Sequence, residues 1–588
     1  MSLRECKSKF KTLFCVFFFS IVQINLINAQ SVSSQTSQIT FWSDMPFEEL
    51  AKSITDQMTD QELFAQMLMF GWAGADPGDL LTSWVQDRNL GSVKVFGWDT
   101  INIVNVAQSI TFLQKKAQES RFKIPLFVAT DQEGGIIRHV KGLTSFTPGN
   151  LAIGASAYPY DAYWSGYYIN EELAALGINM NFAPTVDLYT NIDSTVITTR
   201  SFGFNPDYAG VLGAAWAKGC RDAGVIATAK HFPGHGDTDL DSHGKLPEIN
   251  IDMNTLQNRE LVPFKYLIKG GVSAIMSGHL GFPQLVPDGC PASLSKMMLT
   301  DLLRGQLGYE GLIITDDMMM NGATVYAGAL SKAFQLAIEA GNDIVLSSTT
   351  PVLDEALWTK NIAEMKINPA FKERVKDAAR RVILAKLEYF KGENAVALYP
   401  DVAAISQKVP APGSQAFFTA QACRSITVYK NNFKVYSPES AKNDSILMAG
   451  QFQEFFDEGH EKYKNTDYLF FSYNMGPKKI KEVGTSLLKK AKNYDTIMIC
   501  VANEVAAEVA NYLKNCGKRV IIISVNAPTF VFDKTWADTI LIAYTYSNYS
   551  FAAVFSALAG EYVPQGYLQM KDSFSKEDST SFSLLESK

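Results

Sequence analysis

Residues 225–231 read VIATAKH, a run of small and β-branched apolar residues that ends in a lysine and a histidine. A run without strict alternation predicts a strand that is covered on both faces, as in a parallel sheet. The two ionisable residues stand at its C-terminal end, where parallel barrels carry their functional side chains. The stretch therefore predicts both a parallel sheet and the edge of that sheet where functional residues gather.

Similar apolar runs occur on either side of this stretch, and the segments between them are long enough to hold a crossover helix each. Eight strands are predicted in all, at residues 66–71, 92–97, 125–131, 178–184, 225–231, 272–279, 312–317 and 343–348. Eight successive βα units predict an α/β fold of the (β/α)8 barrel type. Polar residues close several of these runs, namely Asp131, Lys230, His231, His279 and Asp316.

The chain is too long for a single hydrophobic core, because its 588 residues exceed the size at which chains divide into domains. The barrel domain is predicted over residues 40–390, and residues 391–415, which contain three prolines, are predicted to form a linker. Short apolar runs alternate with helical patterns over residues 416–570, which predicts a smaller α/β sandwich with a mostly parallel sheet. Residues 571–588 are rich in serine and charge and are predicted to be a flexible tail.

Residues 1–29 have the pattern of a signal peptide. Four basic residues precede the apolar run 13–19, and Ala29 is a small residue suited to cleavage. The alternatives are an uncut anchor, for which seven apolar residues are too few to span a bilayer, and a lipid-modified Cys15. We therefore expect an exported protein, periplasmic or secreted, that does not stay inserted in a membrane after cleavage.

The charge and the cysteine content narrow the classes of ligand. The formal net charge is −7 and no basic stripe follows the first eleven residues, so no nucleic-acid partner is expected. Five cysteines remain after residue 29, without the paired short spacings of a zinc site. No metal and no cofactor are expected.

Residues 230–243, KHFPGHGDTDLDSH, form the densest cluster of ionisable residues, with three histidines and three aspartates. His231 and His235 have the i, i+4 spacing of a zinc-binding helix, but Pro233 and Gly234 oppose a helix there. A turn whose side chains hydrogen-bond locally is the other simple interpretation. The residues alone leave both alternatives open.

Asp241 and His243 are a candidate acid/base pair within this cluster. One residue separates them, so in an extended loop their side chains can emerge on the same side. The carboxylate could then hold one imidazole nitrogen and leave the other free for proton transfer. An imidazole with an ordinary pKa of about 6.5 can serve in both directions at neutral pH.

Asp316 and Asp317 follow the apolar run that begins at Leu312. Neighbouring residues of a strand point to opposite faces, so one carboxylate is expected to face the barrel mouth and the other to cap a helix or join a buried pair. Asp316 is predicted to be the reactive one, because it lies an even step from the apolar residue Ile314.

Five motifs, in the same order along the chain, closely resemble those of the glycoside hydrolase family 3 β-N-acetylhexosaminidases of the peptidoglycan-recycling type. The motifs are DQEGG at 131–135, NFAP at 181–184, RSFG at 200–203, the cluster 230–243 and DD at 316–317. The resemblance covers roughly residues 50–390. It implies that Asp316 is the nucleophile that forms a glycosyl-enzyme, that His243 is the acid/base and that Asp241 holds His243. It also implies sugar-binding roles for Asp131, Arg200, Lys230 and His231.

Two segments depart from the family pattern, the isoleucine pair 136–137 and the methionine run 318–320. Residues 422–431 resemble the entry to the α/β sandwich that follows the barrel in many family 3 enzymes. Because the barrel already offers an acid/base pair, a structural role is expected for this second domain. Glu504 and Glu508 are then ordinary residues on a helix face.

The resemblance implies a retaining exo-β-N-acetylglucosaminidase that releases terminal GlcNAc from peptidoglycan fragments or related β-linked glycans. A GlcNAc-containing carbohydrate is thus the expected partner. The alternatives are a family 3 β-glucosidase or β-xylosidase, a β-N-acetylglucosaminide phosphorylase, and substrate-assisted catalysis with Asp316 and Asp317 as an orienting pair. A sugar-binding protein without turnover is the alternative outside enzymes.

Overall fold

The computed structural model describes residues 39–240, 246–429 and 433–570. Three sequence predictions lie outside these residues: the signal peptide, the flexible tail, and the acid/base pair of Asp241 and His243. They stay predictions.

Eight parallel strands form the first domain. They are β1 (Leu68–Trp72), β2 (Ser92–Val95), β3 (Phe127–Thr130), β4 (Met180–Asn181), β5 (Ile226–Phe232), β6 (Ala274–Ser277), β7 (Leu312–Thr315) and β8 (Val345–Ser347). The hydrogen-bonded order is β8-β1-β2-β3-β4-β5-β6-β7. A parallel bridge between Ile314 on β7 and Ile344, directly before β8, closes the ring. The predicted (β/α)8 barrel is confirmed.

Every predicted barrel strand overlaps an observed one, but most observed strands are shorter. The largest difference is at β4, where the predicted run 178–184 leaves only Met180–Asn181 in the ladder. Pro184 has no N–H to donate, so the regular ladder cannot continue through the end of the run. The chain leaves the sheet here and enters the loop that carries Asp187.

Helices cover the outside of the barrel and fill its crossovers. Those of seven or more residues are Phe47–Gln57, Asp60–Gln66, Gly78–Arg88, Ile103–Glu119, Asn150–Ser156, Pro159–Ala175, Pro206–Asp222, Leu261–Lys269, Met297–Gln306, Asn321–Ala327, Leu330–Ala340, Ala356–Ile367 and Pro369–Phe390. Local sequence sets several of their ends. Thr59 and Glu62 form a reciprocal capping box, and Asn368 caps the helix that begins at Pro369.

The second domain is a six-stranded sheet with helices on both faces. Its strands are β9 (Thr427–Val428), β10 (Ile446–Gly450), β11 (Thr466–Phe470), β12 (Thr496–Val501), β13 (Arg519–Ser524) and β14 (Thr539–Ile542). The order is β9-β14-β13-β12-β10-β11, with the β9–β14 pair antiparallel and the other pairs parallel. The helices are Ser414–Ser425, Gln453–Lys462, Pro477–Ala491, Glu504–Asn511 and Asn548–Leu558, and the short helix Ile405–Lys408 lies in the linker before them. The predicted α/β sandwich is confirmed.

Polar contacts join the two domains. The guanidinium of Arg424 donates to both carboxylate oxygens of Asp161, at 2.5 and 3.1 Å, and Asp161 is fully buried. The buried carboxylate of Glu172 accepts hydrogen bonds from Ser145 in the barrel and from the amide of Ala411 in the linker segment. The sandwich is therefore fixed against the barrel rather than tethered to it.

In the part of the chain that the structure describes, every helix is too short or too polar to cross a bilayer.

Candidate active site

A cluster of charged side chains occupies the C-terminal ends of the barrel strands. Asp131, which follows β3, lies between two lysines, 2.6 Å from Lys94 on β2 and 2.5 Å from Lys230 on β5. Burial alone would raise the pKa of Asp131, but the two ammonium groups lower it well below its usual range. Asp131 is therefore ionised and fixes both lysines in place.

Glu133 is the second anion of the cluster. Its carboxylate takes a bidentate pair of hydrogen bonds from Arg200, at 2.9 and 2.7 Å, and lies 2.7 Å from Lys230. Burial opposes ionisation, yet the charges of Arg200 and Lys230 lower the pKa of Glu133 to about 2. Lys230 is only 2% exposed, so it is a buried member of the site and not a surface cation.

His231 is oriented by a carboxylate that sequence reasoning did not select. Its Nδ1 lies 2.6 Å from Asp187, which also accepts hydrogen bonds from the backbone amides of His231 and His235. Asp187 is fully buried, and its charge acts on Arg200 as well as on this segment. The contact leaves Nε2 of His231 facing the cluster, 3.5 Å from Arg200.

Asp316 follows β7 and joins the same cluster. Its amide donates to the carbonyl of Ser277, and its carboxylate accepts the amide of Asp317 at 2.8 Å. Burial alone would raise the pKa of Asp316, but the charges of His231 and His279, with a smaller effect of Lys230, hold it below its usual range. A carboxylate at this position is thus available as an anion at neutral pH.

Asp317 has a different role from its neighbour. Its carboxylate accepts the amides of Met319 and Ser348 at 3.0 and 2.9 Å, and its carbonyl lies 3.1 Å from Nε2 of His279. The second aspartate therefore caps the following turn and ties β7 to β8, as one of the two carboxylates was expected to do. The side chain of His279 positions this segment because its Nδ1 is held by Ser293.

The histidines at 231 and 235 do not lie on a helix, because β5 runs to Phe232 and a turn follows it. His235 is buried, and burial lowers its pKa to about 4, so its ring is neutral. Among the residues that the structure describes, no group of three or more potential ligands could hold a metal ion.

The structure brings together five of the seven site residues that the sequence singled out: Asp131, Arg200, Lys230, His231 and Asp316. The other two, Asp241 and His243, lie outside the described residues. The loop that carries them follows β5 directly and remains described as far as Leu240.

Sequence reasoning missed three members of the cluster, Lys94, Glu133 and Asp187. Lys94 could have been found, because a lysine inside an otherwise apolar strand must have a buried partner. Glu133 stands within a motif, but its partners are Arg200, on a short turn, and Lys230, on β5. Asp187 follows no strand, and no sequence signal distinguishes it from an ordinary loop aspartate.

The arrangement can bind a polar, uncharged ligand and attack it. Lys94, Lys230 and Arg200 are paired with Asp131 and Glu133, whereas the anionic form of Asp316 is favoured mainly by His231 and His279. The fixed donors and acceptors around it suit the hydroxyl groups of a sugar. A carboxylate so placed is suited to nucleophilic attack on an anomeric carbon.

Comparisons with known proteins agree with this chemistry. Residues 58–385 match the sequence model of the Glycosyl hydrolase family 3 N terminal domain. The chain is 29% identical to the beta-hexosaminidase A of Pseudoalteromonas piscicida, over 76% of this chain and 81% of that protein. It is 34% identical to a beta-hexosaminidase of Neisseria meningitidis serogroup A, over 46% of this chain and 75% of that protein. A solved family 3 beta-N-acetylglucosaminidase from Paenibacillus sp. str. FPU-7 superposes with a TM-score of 0.78 at 25% identity, covering 87% of this chain and 99% of that one.

Proposed function

Because the chain belongs to glycosyl hydrolase family 3 and is a β-N-acetylhexosaminidase of that family, we propose that it is a retaining, exo-acting β-N-acetylglucosaminidase. Its substrates in this proposal are peptidoglycan fragments or related β-linked glycans with a terminal GlcNAc. The observation that carries the mechanism is the ionised carboxylate of Asp316 among His231, His279 and Lys230. Export, as the predicted signal peptide implies, would bring the enzyme to such glycans.

The proposed reaction has two displacements. In the first, an oxygen of Asp316 forms a bond to the anomeric carbon while the glycosidic bond breaks, and His243 gives its proton to the departing oxygen. In the second, His243 takes a proton from water, whose oxygen attacks the same carbon and releases Asp316. Each displacement inverts the carbon once, so the sugar leaves with its original configuration.

The terminal sugar binds among the fixed charges of the cluster in this proposal. Asp131 accepts hydrogen bonds from its hydroxyls, Nε2 of His231 accepts from or donates to them, and Lys230 and Arg200 donate to them. Because Asp131 and Glu133 hold both cations in place, little side-chain entropy is lost when the sugar binds. A site built around the acetamido group should penalise a sugar that lacks it.

The direct test is hydrolysis of 4-nitrophenyl β-GlcNAc by the wild type and by the Asp316→Asn variant. We expect kcat to fall at least about 10³-fold, because the variant keeps the shape of the side chain but loses the nucleophilic anion. Asp354→Asn, which alters an exposed carboxylate in the turn after β8, is the matched control and should keep full activity. Full activity in the Asp316 variant would refute the assignment.

A second measurement separates the proposed mechanism from its alternatives. After reaction with a 2-deoxy-2-fluoro glycoside, mass spectrometry should find the sugar on the peptide that contains Asp316. Substrate-assisted catalysis would leave that peptide unlabelled. Added phosphate should leave the rate unchanged, since a phosphorylase would be accelerated by it.

A further inference from the structure

Lys94 is a buried cation that takes no part in the two proposed displacements. It lies on β2, whose four residues are all buried, and the residues on either side of it are valines. A lysine is almost never buried without a partner, because burial removes its ammonium group from water. The reason for a lysine at this position must therefore lie at the end of its side chain.

The ammonium group of Lys94 is held from two sides. Its Nζ lies 2.6 Å from Oδ2 of Asp131 and 3.9 Å from the centre of the Phe96 ring. An ammonium group has three N–H donors, and Asp131 is the one hydrogen-bond acceptor for it among the described residues. With one donor on the carboxylate and one over the ring face, the third donor is left for a ligand.

Lys94 is better placed than Lys230 to donate to a ligand. Nζ of Lys230 lies between two carboxylates, 2.5 Å from Asp131 and 2.7 Å from Glu133, and its side chain is 2% exposed. The side chain of Lys94 is 6% exposed and has one carboxylate partner. A cation that is paired with one anion is less fully neutralised than a cation paired with two. Lys94 therefore keeps more of its charge for an incoming hydroxyl group.

The carboxylate of Asp131 keeps room for a ligand as well. Its Oδ1 lies 2.5 Å from Lys230 and its Oδ2 lies 2.6 Å from Lys94, whereas Nδ1 of His139 is 3.7 Å from Oδ2, too far for a hydrogen bond. An ionised carboxylate accepts at about four lone-pair positions, so each oxygen can take a further donor. A hydroxyl group both donates and accepts, so one hydroxyl can bind to Oδ2 of Asp131 and to Nζ of Lys94 together.

The position of this pair in the barrel indicates which hydroxyl it binds. In the closed ring of eight strands, β3, which precedes Asp131, lies four places from β7, which precedes Asp316. The two carboxylates therefore lie on opposite sides of the barrel mouth. With Asp316 at the anomeric carbon of a pyranose, the ring carbon farthest from that centre, C4, points toward Asp131 and Lys94.

We propose that Lys94 is a specificity-determining residue that binds, together with Asp131, the hydroxyl group on C4 of the terminal sugar. The hydroxyl donates to Oδ2 of Asp131 and accepts from Nζ of Lys94. A sugar without this hydroxyl leaves a buried donor and a buried acceptor unpaired, and sites of this kind reject such analogues strongly. The inference rests on the proposed exo-β-N-acetylglucosaminidase activity and adds a residue to its sugar-binding set.

The test measures kcat/KM on 4-nitrophenyl β-GlcNAc and on its 4-deoxy and 6-deoxy analogues. In the wild type, we expect removal of the C4 hydroxyl to lower kcat/KM at least about 100-fold. Lys94→Met keeps an unbranched apolar chain but loses the ammonium group, and it should shrink the 4-deoxy penalty about tenfold and leave the 6-deoxy penalty unchanged. A merely structural effect would lower kcat/KM on all three substrates by the same factor.

Lys52→Met is the matched control. It removes an ion pair of the same 2.6 Å length, with Asp56, from an exposed helix, and it should leave all the ratios of kcat/KM as in the wild type. Phe96→Leu keeps the ammonium group and removes the ring face beside it, so it should shrink the 4-deoxy penalty about threefold. This second variant tests the same contact without removing a charge from the barrel.

Calorimetric titration with GlcNAc and with 4-deoxy-GlcNAc tests the contact without turnover. The ratio of the two Kd values should fall about tenfold in Lys94→Met relative to the wild type. An unchanged 4-deoxy penalty in the folded variants, or a change confined to the 6-deoxy analogue, would overturn the role of Lys94. Absence of hydrolysis of the aryl glycoside by the wild type would instead refute the proposed function, while the titration still decides the role of Lys94.

Discussion

Glu133 sets the charge balance of the active site at the scale of single residues. It is the one described carboxylate that contacts both Arg200 and Lys230, and its side chain is 1% exposed. Removing one partner of a buried ionic network leaves uncompensated charges, and the cost is usually larger than the value of the pair itself. Glu133 is therefore a positioning residue for the sugar-binding cations.

We expect Glu133→Gln to lower kcat/KM on 4-nitrophenyl β-GlcNAc by about 100-fold or more, because Arg200 and Lys230 lose their shared anion. The midpoint of thermal unfolding should fall as well. Glu508→Gln, on the exposed face of a sandwich helix, is the control and should change neither quantity. An active, fully stable Glu133 variant would contradict the positioning role.

The choice of Asp316 over Asp317 as the reactive carboxylate rests on the step of two along the strand and, more strongly, on the family resemblance, and it stays a prediction. The contacts of Glu133 could not be predicted, since its partners, on a short turn and on β5, are 67 and 97 positions away. For the same reason Asp187 was missed, because its function is visible only once His231 lies beside it. Sequence pattern reports local geometry, whereas a charge network forms between distant segments.

At the scale of elements, a buried acid on a neighbouring helical turn, Glu260, lies against Gly234 in the segment after β5. One oxygen of Glu260 accepts from Arg259 at 2.6 Å, and the other has no partner among the described residues. Burial raises the pKa of Glu260 to about 7, although Arg259 opposes the shift. The unfolded chain ionises this group near pH 4.3, so between these two values the folded state binds more protons than the unfolded state.

The free energy of unfolding should therefore contain a term that is complete below about pH 4 and is lost as the pH rises to about 7. We expect Glu260→Gln to reduce the difference in unfolding free energy between pH 5 and pH 8 by about 2–3 kcal/mol. Urea denaturation at pH 5 and at pH 8 measures the two unfolding free energies. Glu310→Gln, at an exposed position, is the control and should leave the difference in unfolding free energy between pH 5 and pH 8 as in the wild type. The same difference in the Glu260 variant as in the wild type would contradict the raised pKa of Glu260.

The hairpin after β3 needs glycine at position 135. Gly135 has a φ of +58°, and a Cβ there would lie 3.1 Å from the Cα of Gly149 and 3.4 Å from the methyl group of Thr545. Gly135→Ala should lower the free energy of unfolding by about 1–3 kcal/mol through backbone strain and close contact. Gly476→Ala, with a φ of −78° and open space around it, is the control. Equal free energies of unfolding in the two variants would refute the backbone strain expected of alanine at position 135.

The order of elements was more predictable than their ends. All eight barrel strands were predicted from apolar runs, because buried parallel strands leave a compositional signal. The ends depend on which amides find partners, as the short β4 before Pro184 shows. The predicted linker 391–415 similarly contains the helical turn Ile405–Lys408, which its three prolines conceal.

At the scale of the whole molecule, the two domains share buried polar contacts. Asp161 is fully buried under Arg424, whose side chain is 37% exposed. We expect Asp161→Ala to lower stability by about 1–2 kcal/mol, since solvent screens part of the pair. Calorimetry should then resolve two transitions, whereas we expect one in the wild type. Glu439→Ala, which removes an exposed pair with Lys442 at 3.9 Å, is the control. A single transition in the Asp161 variant would show that other contacts suffice to couple the domains.

The methyl group of Thr545 lies beside Gly135 and Gly149, so a residue of the sandwich packs against the hairpin that carries Glu133. If the barrel were fused to the sandwich domain of another protein, that domain would need a side chain no larger than threonine at the position of Thr545. Recombination between related genes is expected to yield active chimaeras only when the residue at 545 and the glycines at 135 and 149 come from the same parent. The two halves of the chain are in this respect constrained to evolve together.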